Sequence, residues 1–349
     1  MVRVAVVGCG TQGLKHLDAY ARIDDVEVAA VVDRSPERLA AAGDRYGVPV
    51  AARLTSHEQL APDLGLDLVS VVTLPPSHAE IALAALAAGA NVLVEKPIAP
   101  CLADVERMLD AARAADRFVT GAFNMRWMGS AQVLRGLVAD GTPGRAISLR
   151  ATCLDVHVPW WGPHYIRELA GGGVIASDAS HVLDLALWVA GSPRALTASA
   201  AARRLFPTKR GSTAPSPEAA ARYDVEDTAG GFVRLAGGAW LLLEVAWQAD
   251  LPEPVFGFEM QCEHGSARFD PFRIVLERDG EPVDVTPRDP ADNDWDASVA
   301  RGVTGVVDAL RAGAAPLVTP DEMLDVQRLL DALYASAERG REITLFTGS

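Results

Sequence analysis

The sequence predicts an α/β protein with a doubly wound parallel sheet in its N-terminal part and an α+β domain with a large, mostly antiparallel open sheet in its C-terminal part. Up to about residue 123, short β-branched runs alternate with Ala-rich segments of helical period, which is typical of βαβ units. After that point strands follow one another, separated by turn signals such as AGG, EHG and RDG. The 349 residues therefore predict two domains, 1–123 and 124–349.

The elements can be assigned in chain order. The first domain begins with strand VRVAVV and helix LKHLDAYARI and continues through VEVAAVVD, ERLAAAGDRYG, LDLVSVVT, HAEIALAALAAG, NVLVE, DVERMLDAARAA and RFVTGA. In the second domain helices are predicted at 130–140, 174–190, 294–312 and 320–339. A strand follows the first of these helices, and a succession of strands follows the second.

One segment between the strands has a different composition. Residues 206–222, FPTKRGSTAPSPEAAAR, are rich in Pro, Ser and Gly, which predicts a surface excursion or flap. Later strands offer apolar side chains, among them Trp240, Leu242 and Trp247, that a partner copy or the chain's own helices can cover.

Composition excludes several classes of function. The chain has 32 Lys and Arg against 46 Asp and Glu, a net charge of -14, which opposes binding to nucleic acid. The apolar runs are too short to cross a bilayer, so we expect no membrane association. Four cysteines lie far apart without a CxxC pair, and the first strand leaves no room for a targeting peptide. These features predict a cytoplasmic protein without disulfides.

A glycine-rich motif follows the first strand. The sequence GCGTQG matches GxGxxG and opens the first helix; its cofactor-binding candidates are Gly8, Gly10, Thr11, Gln12 and Gly13. Asp33 stands at the end of the next strand, where a carboxylate accepts hydrogen bonds from the adenosine ribose and repels a 2′-phosphate. The neighbouring Arg34 can stack on adenine, pair with a 2′-phosphate or remain solvated. We therefore predict NAD as the cofactor, in preference to NADP.

Two further segments lie at the carboxyl edge of the predicted parallel sheet, where open α/β folds bind ligands. The fifth strand ends in NVLVEKP, which places Glu95 and Lys96 at this edge. The preceding strand ends in TLPPSH, which places Pro75 and His78 at the same edge. All four residues are candidates for the cofactor site.

Five ordered segments together resemble the Gfo/Idh/MocA oxidoreductase family, which includes inositol dehydrogenase and glucose-fructose oxidoreductase. They are the GxGxxG turn, TLPPSH, EKP, GGGVIASDASHVLDLALWVAG and DALRAGAAPLVTPDEMLDVQRLLDALYASAERG. The resemblance implies a nicotinamide-dependent enzyme acting on a sugar, cyclitol or related polyol. It also implies an N-terminal Rossmann domain and a C-terminal sheet used in self-association, hence a homodimer or homotetramer.

The same resemblance assigns catalytic roles. It implies that Lys96 hydrogen-bonds the reacting oxygen and that His181 acts as general base or acid, which suits an imidazole that titrates near neutrality. Many members have an aspartate four residues before the histidine, but this chain has Ser177 there and Asp178 one residue later. Either Ser177 contacts a substrate hydroxyl as a neutral substitute, or a local shift lets Asp178 serve. Asp184 can orient the imidazole or remain a structural residue.

Polar and aromatic residues elsewhere suit a sugar, because indole faces pack against C–H groups while polar groups bond hydroxyls. The further substrate-binding candidates are Asn124, Arg126, Trp160, Trp161 and His164, which join Lys96, Ser177, Asp178 and His181. We predict no metal site, since Asp155, His157 and His164 lack a convincing ligand spacing.

Two alternative functions remain open. A non-catalytic regulator would bind dinucleotide or sugar without hydride transfer. An NAD-dependent redox glycosidase would release an aglycone without net formation of NADH.

Overall fold

The computed structural model describes residues 1–208, 214–288 and 292–346, and the chain divides into two compact units. The first comprises Met1–Trp127 and Asp294–Leu324; the second comprises Met128–Asn293 and the residues from Asp325 onward. This division differs from the predicted consecutive domains, because the segment that begins at Asp294 returns to the first unit. Its helix contributes valines to the core that also contains the first helix of the chain. The returning segment therefore completes that core.

The helices and strands occupy the following residues. The α-helices are α1 (Thr11–Tyr20), α2 (Pro36–Arg45), α3 (His78–Ala87), α4 (Leu102–Ala114), α5 (Gly129–Ala139), α6 (Arg167–Ala170), α7 (Ser180–Val189), α8 (Pro217–Arg222), α9 (Trp295–Ala312) and α10 (Pro320–Arg339). The strands are β1 (Val2–Val7), β2 (Val26–Val32), β3 (Arg53–Leu54), β4 (Leu68–Val71), β5 (Asn91–Val94), β6 (Val119–Gly121), β7 (Ala146–Leu154), β8 (Ala195–Arg203), β9 (Thr228–Leu235), β10 (Trp240–Ala246), β11 (Val255–Cys262), β12 (Gly265–Arg268), β13 (Arg273–Arg278), β14 (Glu281–Asp284) and β15 (Ile343–Thr344).

The sheet of the first unit is parallel and has the order β3-β2-β1-β4-β5-β6. This is the order of a dinucleotide-binding Rossmann sheet, in which β1 and β4 meet at the point where the winding reverses. The strands β1, β4 and β5 are rich in the β-branched residue valine, and most of their residues are buried, as expected for a sheet covered on both faces. The carboxyl ends of β1, β2, β4 and β5 therefore share one edge.

The sheet of the second unit has the order β14-β13-β12-β11-β7-β10-β9-β8-β15. Its strand pairs are antiparallel except for β7 and β10, which run parallel. Along β10 buried residues alternate with more exposed ones, so one face of the sheet is covered and the other is open. The predicted fold class is confirmed for both parts of the chain.

Local differences from the sequence-based prediction are small except at one helix. The predicted helix 130–140 corresponds to α5, 294–312 to α9 and 320–339 to α10. The predicted helix 174–190 instead begins with a π-helical turn before α7. The predicted excursion 206–222 lies partly outside the described residues and contains α8 in its described part. Among the described residues, no helix is both long and apolar enough to span a membrane.

Candidate functional site

The glycine turn between β1 and α1 fits a dinucleotide. A Cβ atom on Gly8 would lie 2.2 Å from the Val72 carbonyl oxygen, and one on Gly13 would lie 1.8 Å from the Gly8 carbonyl oxygen, so packing requires both glycines. Gly8 also has a φ of +99°, which favours glycine. A Cβ on Gly10 would meet only the Arg38 guanidinium, at 3.8 Å. The space beside Gly10 lies at the N-terminus of α1, where free N–H groups favour a pyrophosphate.

Asp33 follows β2 and is fixed against the same turn. Its Oδ2 accepts the Cys9 backbone N–H at 2.7 Å, and its Oδ1 accepts the Ser35 N–H at 2.8 Å. Thr11 and Arg34 are exposed. A carboxylate fixed here can accept ribose hydroxyls through its remaining lone pairs and disfavours a 2′-phosphate. This geometry fits NAD.

Glu95 and Lys96 follow β5 at the same edge of the sheet. Glu95 is buried, and its carboxylate accepts hydrogen bonds from His16 Nε2 at 3.1 Å, Gln12 Nε2 at 3.0 Å and the Lys96 backbone N–H at 3.0 Å. Burial alone raises the pKa of Glu95, but the His16 hydrogen bond, the nearby Lys96 charge and the Gln12 hydrogen bond bring it below its usual value. Gln12 from the dinucleotide turn and the EKP segment thus meet at one ionised carboxylate.

His16 was not predicted from the sequence. It is buried on α1, one turn after Gln12, so both side chains reach Glu95 from the same helix face. The sequence signal that could have pointed to His16 was the pair Gln12 and His16, two polar residues at i, i+4 on a helix whose other inward residues are apolar.

His78 ties two loops together. Its Nδ1 lies 3.1 Å from the Pro97 carbonyl oxygen and 3.2 Å from that of Ile98, while Nε2 lies 3.0 Å from the Thr73 carbonyl oxygen. The ring is fully buried, which lowers its pKa against the opposing effect of these carbonyls. His78 therefore positions these two loops, and its contact with the cofactor stays a prediction. Pro75 is half-buried in the short turn before α3.

The predicted substrate contacts Asn124 and Arg126 are buried within the first unit. Arg126 is 1% exposed and pairs with Glu322 at 2.7 Å, where α10 begins. Asn124 Nδ2 donates to the Ser298 hydroxyl on α9 at 2.9 Å. Since these groups hold the returning segment to the turn Asn124–Trp127, the structure favours structural roles for Asn124 and Arg126 over the predicted contacts with substrate.

The helix that carries Ser177, Asp178 and His181 has an irregular start. Ile175–Ala179 form a π-helical turn that continues directly into α7. Because a π turn closes i to i+5, it contains one residue more than an α turn. The start of this helix therefore departs from regular α-helical spacing.

Asp178 has two close donors. Its Oδ2 accepts the indole N–H of Trp247 at 2.5 Å, and its Oδ1 accepts the Ser177 hydroxyl at 3.1 Å. Ser177 and Asp178 are therefore joined in one hydrogen-bonded group. Trp247 is 1% exposed, so of the two alternatives that the sequence left open for it the structure shows cover by the chain itself. His181 is 7% exposed and Asp184 is fully buried, both on α7.

A buried carboxylate caps this helix. Glu226, just before β9, accepts the backbone N–H groups of Gly173 at 2.9 Å and Ile175 at 3.2 Å through Oε1. Its Oε2 accepts from the Arg167 guanidinium at 3.2 Å. A Cβ on Gly173 would lie 1.9 Å from the Glu226 carbonyl oxygen. The glycine run before the helix thus lets Glu226 approach its first N–H groups.

Tyr334 on α10 completes the cap. Its hydroxyl donates to Glu226 Oε1 at 2.7 Å and accepts the Ala176 N–H at 3.1 Å. Burial and the Glu226 charge raise the pKa of Tyr334 well above its ordinary value, so the hydroxyl stays protonated. A Cβ on Gly172 would lie 2.0 Å from this hydroxyl. Glu226 and Tyr334 were not predicted from the sequence, in which the GGG run was the only signal for them.

The aromatic segment after β7 divides into a packed part and an exposed part. Trp160 is half-buried in an aromatic cluster with Tyr165, Phe206 and Tyr223. Trp161 is 82% exposed, and its ring lies 4.2 Å from that of His164, centroid to centroid. An exposed indole edge-packed on an imidazole can receive the apolar face of a sugar ring.

Potential metal ligands are dispersed over the described ranges 1–208, 214–288 and 292–346. No group of three or more His, Cys, Asp or Glu residues in these ranges is arranged to hold a metal ion.

Comparisons with known proteins place the chain in a family. A model described as "Oxidoreductase family, NAD-binding Rossmann fold" matches residues 2–123, and the "GFO/IDH/MocA C-terminal domain" matches 131–268. Inositol 2-dehydrogenase of Streptomyces avermitilis is 31% identical over 272 residues, 75% of this chain and 69% of that protein. The chain belongs to the Gfo/Idh/MocA family. It is therefore an oxidoreductase with NAD as its cofactor, which confirms both predictions.

Two other known proteins are similar to this chain over nearly its full length. D-glucoside 3-dehydrogenase of Escherichia coli K12 is 28% identical over 347 residues, 99% of this chain and 97% of that protein. Levoglucosan dehydrogenase, solved with NADH and levoglucosan, superposes with a TM-score of 0.84 at 21% identity and covers 99% of both chains. At this identity the superposition establishes the shared fold.

Proposed function

We propose that the protein transfers a hydride between NAD and a hydroxyl or keto carbon of a sugar, cyclitol or related polyol. The observation that carries this proposal is the placement of Lys96 beside an ionised Glu95, which in turn contacts Gln12 of the dinucleotide turn. Relatives named for dehydrogenation of glucosides and inositols support the substrate class.

Oxidation of a hydroxyl carbon removes a hydride from carbon and a proton from oxygen. NAD, when bound at the glycine turn and Asp33, would supply the acceptor for this hydride. In our proposal the Lys96 ammonium donates a hydrogen bond to the reacting oxygen and stabilises its developing negative charge. His181 accepts the hydroxyl proton as general base and returns it in the reverse reaction. Asp178 and Ser177, already hydrogen-bonded to each other, bond neighbouring hydroxyls of the substrate.

Substrate recognition is proposed to use the aromatic segment after β7. Trp161 offers an exposed indole to a sugar ring, while the His164 ring packed beside it can bond a hydroxyl. Trp160 supports this segment from the aromatic cluster. The buried residues Asn124 and Arg126 are left out of the proposed substrate contacts.

The test is the rate of reduced-nicotinamide formation, followed by absorbance, with inositols, aldoses, sugar acids and glycosides. Each substrate is assayed with NAD and with NADP. We expect turnover with at least one polyol class and a preference for NAD. Release of aglycone without net NADH would indicate the redox glycosidase instead. Bound NAD with no turnover in either direction, including with keto sugars, would indicate a regulator.

We also propose a homodimer or homotetramer formed through the open face of the second sheet. Trp240 and Phe232 stack there with ring centroids 6.2 Å apart, and Arg234 lies over the Phe232 ring at 5.3 Å. Light scattering with size-exclusion chromatography should give an oligomer mass for the native chain and a smaller one for Trp240→Arg. A monomeric native chain would contradict this proposal. The cytoplasmic location stays a prediction from the sequence.

A further inference from the structure

A chain of hydrogen bonds runs through the buried side of the dinucleotide site. The Tyr20 hydroxyl lies 2.7 Å from Ser70 Oγ, and Ser70 Oγ lies 3.2 Å from His16 Nδ1. His16 Nε2 lies 3.1 Å from Glu95 Oε1. Tyr20, Ser70 and His16 are at most 1% exposed, so water does not replace these partners. These hydrogen bonds lead from α1 to β4, back to α1 and on to the end of β5.

Only one assignment of protons satisfies every member of this chain. Burial raises the pKa of Tyr20 well above its usual value, so its hydroxyl is a donor, and Ser70 is its acceptor. Ser70 then donates to His16 Nδ1, and His16 Nε2–H donates to Glu95. A doubly protonated His16 would donate to Ser70 Oγ alongside Tyr20, and the hydrogen of the Ser70 hydroxyl would then have no acceptor among the described residues, which is costly for a buried group.

This assignment leaves Glu95 ionised and bonded to neutral donors. His16 and Gln12 each give it one N–H, and the Lys96 backbone gives another. Because His16 is neutral in this assignment, we attribute the lowered pKa of Glu95 to its hydrogen bonds and to the Lys96 ammonium, and not to a charge on His16. The carboxylate is therefore a fixed negative charge at the carboxyl edge of β5, held by a side chain of the dinucleotide turn.

The two redox forms of the cofactor differ in the charge of the nicotinamide ring. The nicotinamide ring is cationic in NAD+ and neutral in NADH, and open α/β sheets bind ligands beyond the carboxyl ends of their strands. A fixed carboxylate in a site of low dielectric stabilises a nearby cation more than a neutral ring. We propose that Glu95 makes the protein favour the oxidised cofactor over the reduced one, and that Lys96 opposes this preference.

The test is the ratio of the dissociation constants of NAD+ and NADH, measured by calorimetry without substrate. In Glu95→Gln, which keeps the shape and removes the charge, NAD+ should weaken relative to NADH by about tenfold, or about 1.4 kcal/mol. In Lys96→Met the ratio should change in the opposite direction. Because no substrate is present, failure of the sugar assays and failure of this charge effect are distinguishable.

The matched control is Tyr20→Phe, which shortens the buried chain at its far end and keeps the Glu95 charge. In Tyr20→Phe the ratio of the dissociation constants of NAD+ and NADH should stay within about twofold of the native ratio, even if the melting temperature of the variant falls. An unchanged ratio in a folded Glu95→Gln variant overturns the proposal. If that variant does not fold, Lys96→Met decides, since an unchanged ratio there overturns the proposal as well.

Discussion

The two units hold their functional side chains by different means. In the first unit Gln12, Glu95 and Lys96 lie on a regular helix and at a strand end, and the parallel order of the sheet brings them to one edge. In the second unit Ser177 and Asp178 lie on a π turn that is capped from distant parts of the chain. Sheet topology therefore positions the residues of the cofactor site, whereas individual long-range hydrogen bonds position the turn whose residues are proposed to bind substrate hydroxyls.

The largest effect on turnover is expected from a substitution in the first unit. Lys96→Met should lower kcat by about 1000-fold or more, because the stabilisation of a developing alkoxide is lost. Affinity for NAD should change by less than about tenfold, since the glycine turn and Asp33 are untouched. Steady-state kinetics and calorimetry measure the two effects.

The matched control for this variant is Lys15→Met. Lys15 lies on α1 and pairs with Asp296 at 2.6 Å. It should retain turnover within a few fold. Retained turnover in Lys96→Met itself would contradict the assignment of Lys96.

The second largest effect on turnover is expected from a substitution in the second unit. His181→Asn should lower kcat by about 100-fold or more, because an amide cannot accept the substrate proton. NAD affinity should not change, since the residues of the dinucleotide turn belong to the other unit.

The exposed His264, replaced in the same way, serves as the control for the loss of an imidazole. Equal losses of activity in His181→Asn and His264→Asn would show that His181 has no special role.

Substitutions of Glu226 and Tyr334, with smaller expected effects, test whether the cap that these residues form positions the helix. Glu226→Gln leaves Arg167 without its carboxylate and places an amide among N–H donors, so the free energy of unfolding should fall by about 2 kcal/mol. Tyr334→Phe removes one hydroxyl and should cost about 1 kcal/mol. Urea unfolding measures both changes.

Kinetics then separate positioning from stability alone. In conditions where both cap variants are folded, kcat should fall in Glu226→Gln while NAD affinity is kept. If kcat stays native in the folded variant, the cap contributes stability only.

The last pair of substitutions concerns two helical glycines, one in each unit, and should affect stability without affecting turnover in the folded protein. A Cβ on Gly305 in α9 would lie 2.1 Å from the Trp127 ring, so Gly305→Ala should lower the free energy of unfolding by about 1 to 3 kcal/mol. A Cβ on Gly136 in α5 would meet no described atom within 4 Å, so Gly136→Ala should raise it by about 0.5 to 1 kcal/mol. Equal effects of the two substitutions would contradict the close packing at Trp127.

The sequence predicted those parts of the site that follow from periodicity and topology. The glycine turn, Asp33 and the EKP segment stand at strand ends, where the βαβ pattern leaves little freedom. The return of residues from Asp294 to the first unit was not predicted, because helical period shows that a helix has an apolar face but not which core that face joins. The ion pair of Arg126 was not predicted for a similar reason, since its partner Glu322 lies 196 residues away.

The second unit shows a different limit. A π turn has no period that a short sequence segment reveals, so the relation of Ser177 and Asp178 could not be settled by counting residues. The cap was hidden as well, because Glu226 and Tyr334 lie 53 and 158 residues from the N–H groups that they bond. Such contacts arise only once the sheet and α10 are assembled.

The most direct test of hydride transfer is to follow the transferred atom. An accepted polyol carrying deuterium on its reacting carbon is oxidised with NAD, and the nicotinamide product is examined by NMR. We expect one deuterium at C4 of the nicotinamide for each ketone formed, and neither product in Lys96→Met. Formation of NADH without deuterium, or of ketone without NADH, would contradict hydride transfer by this protein.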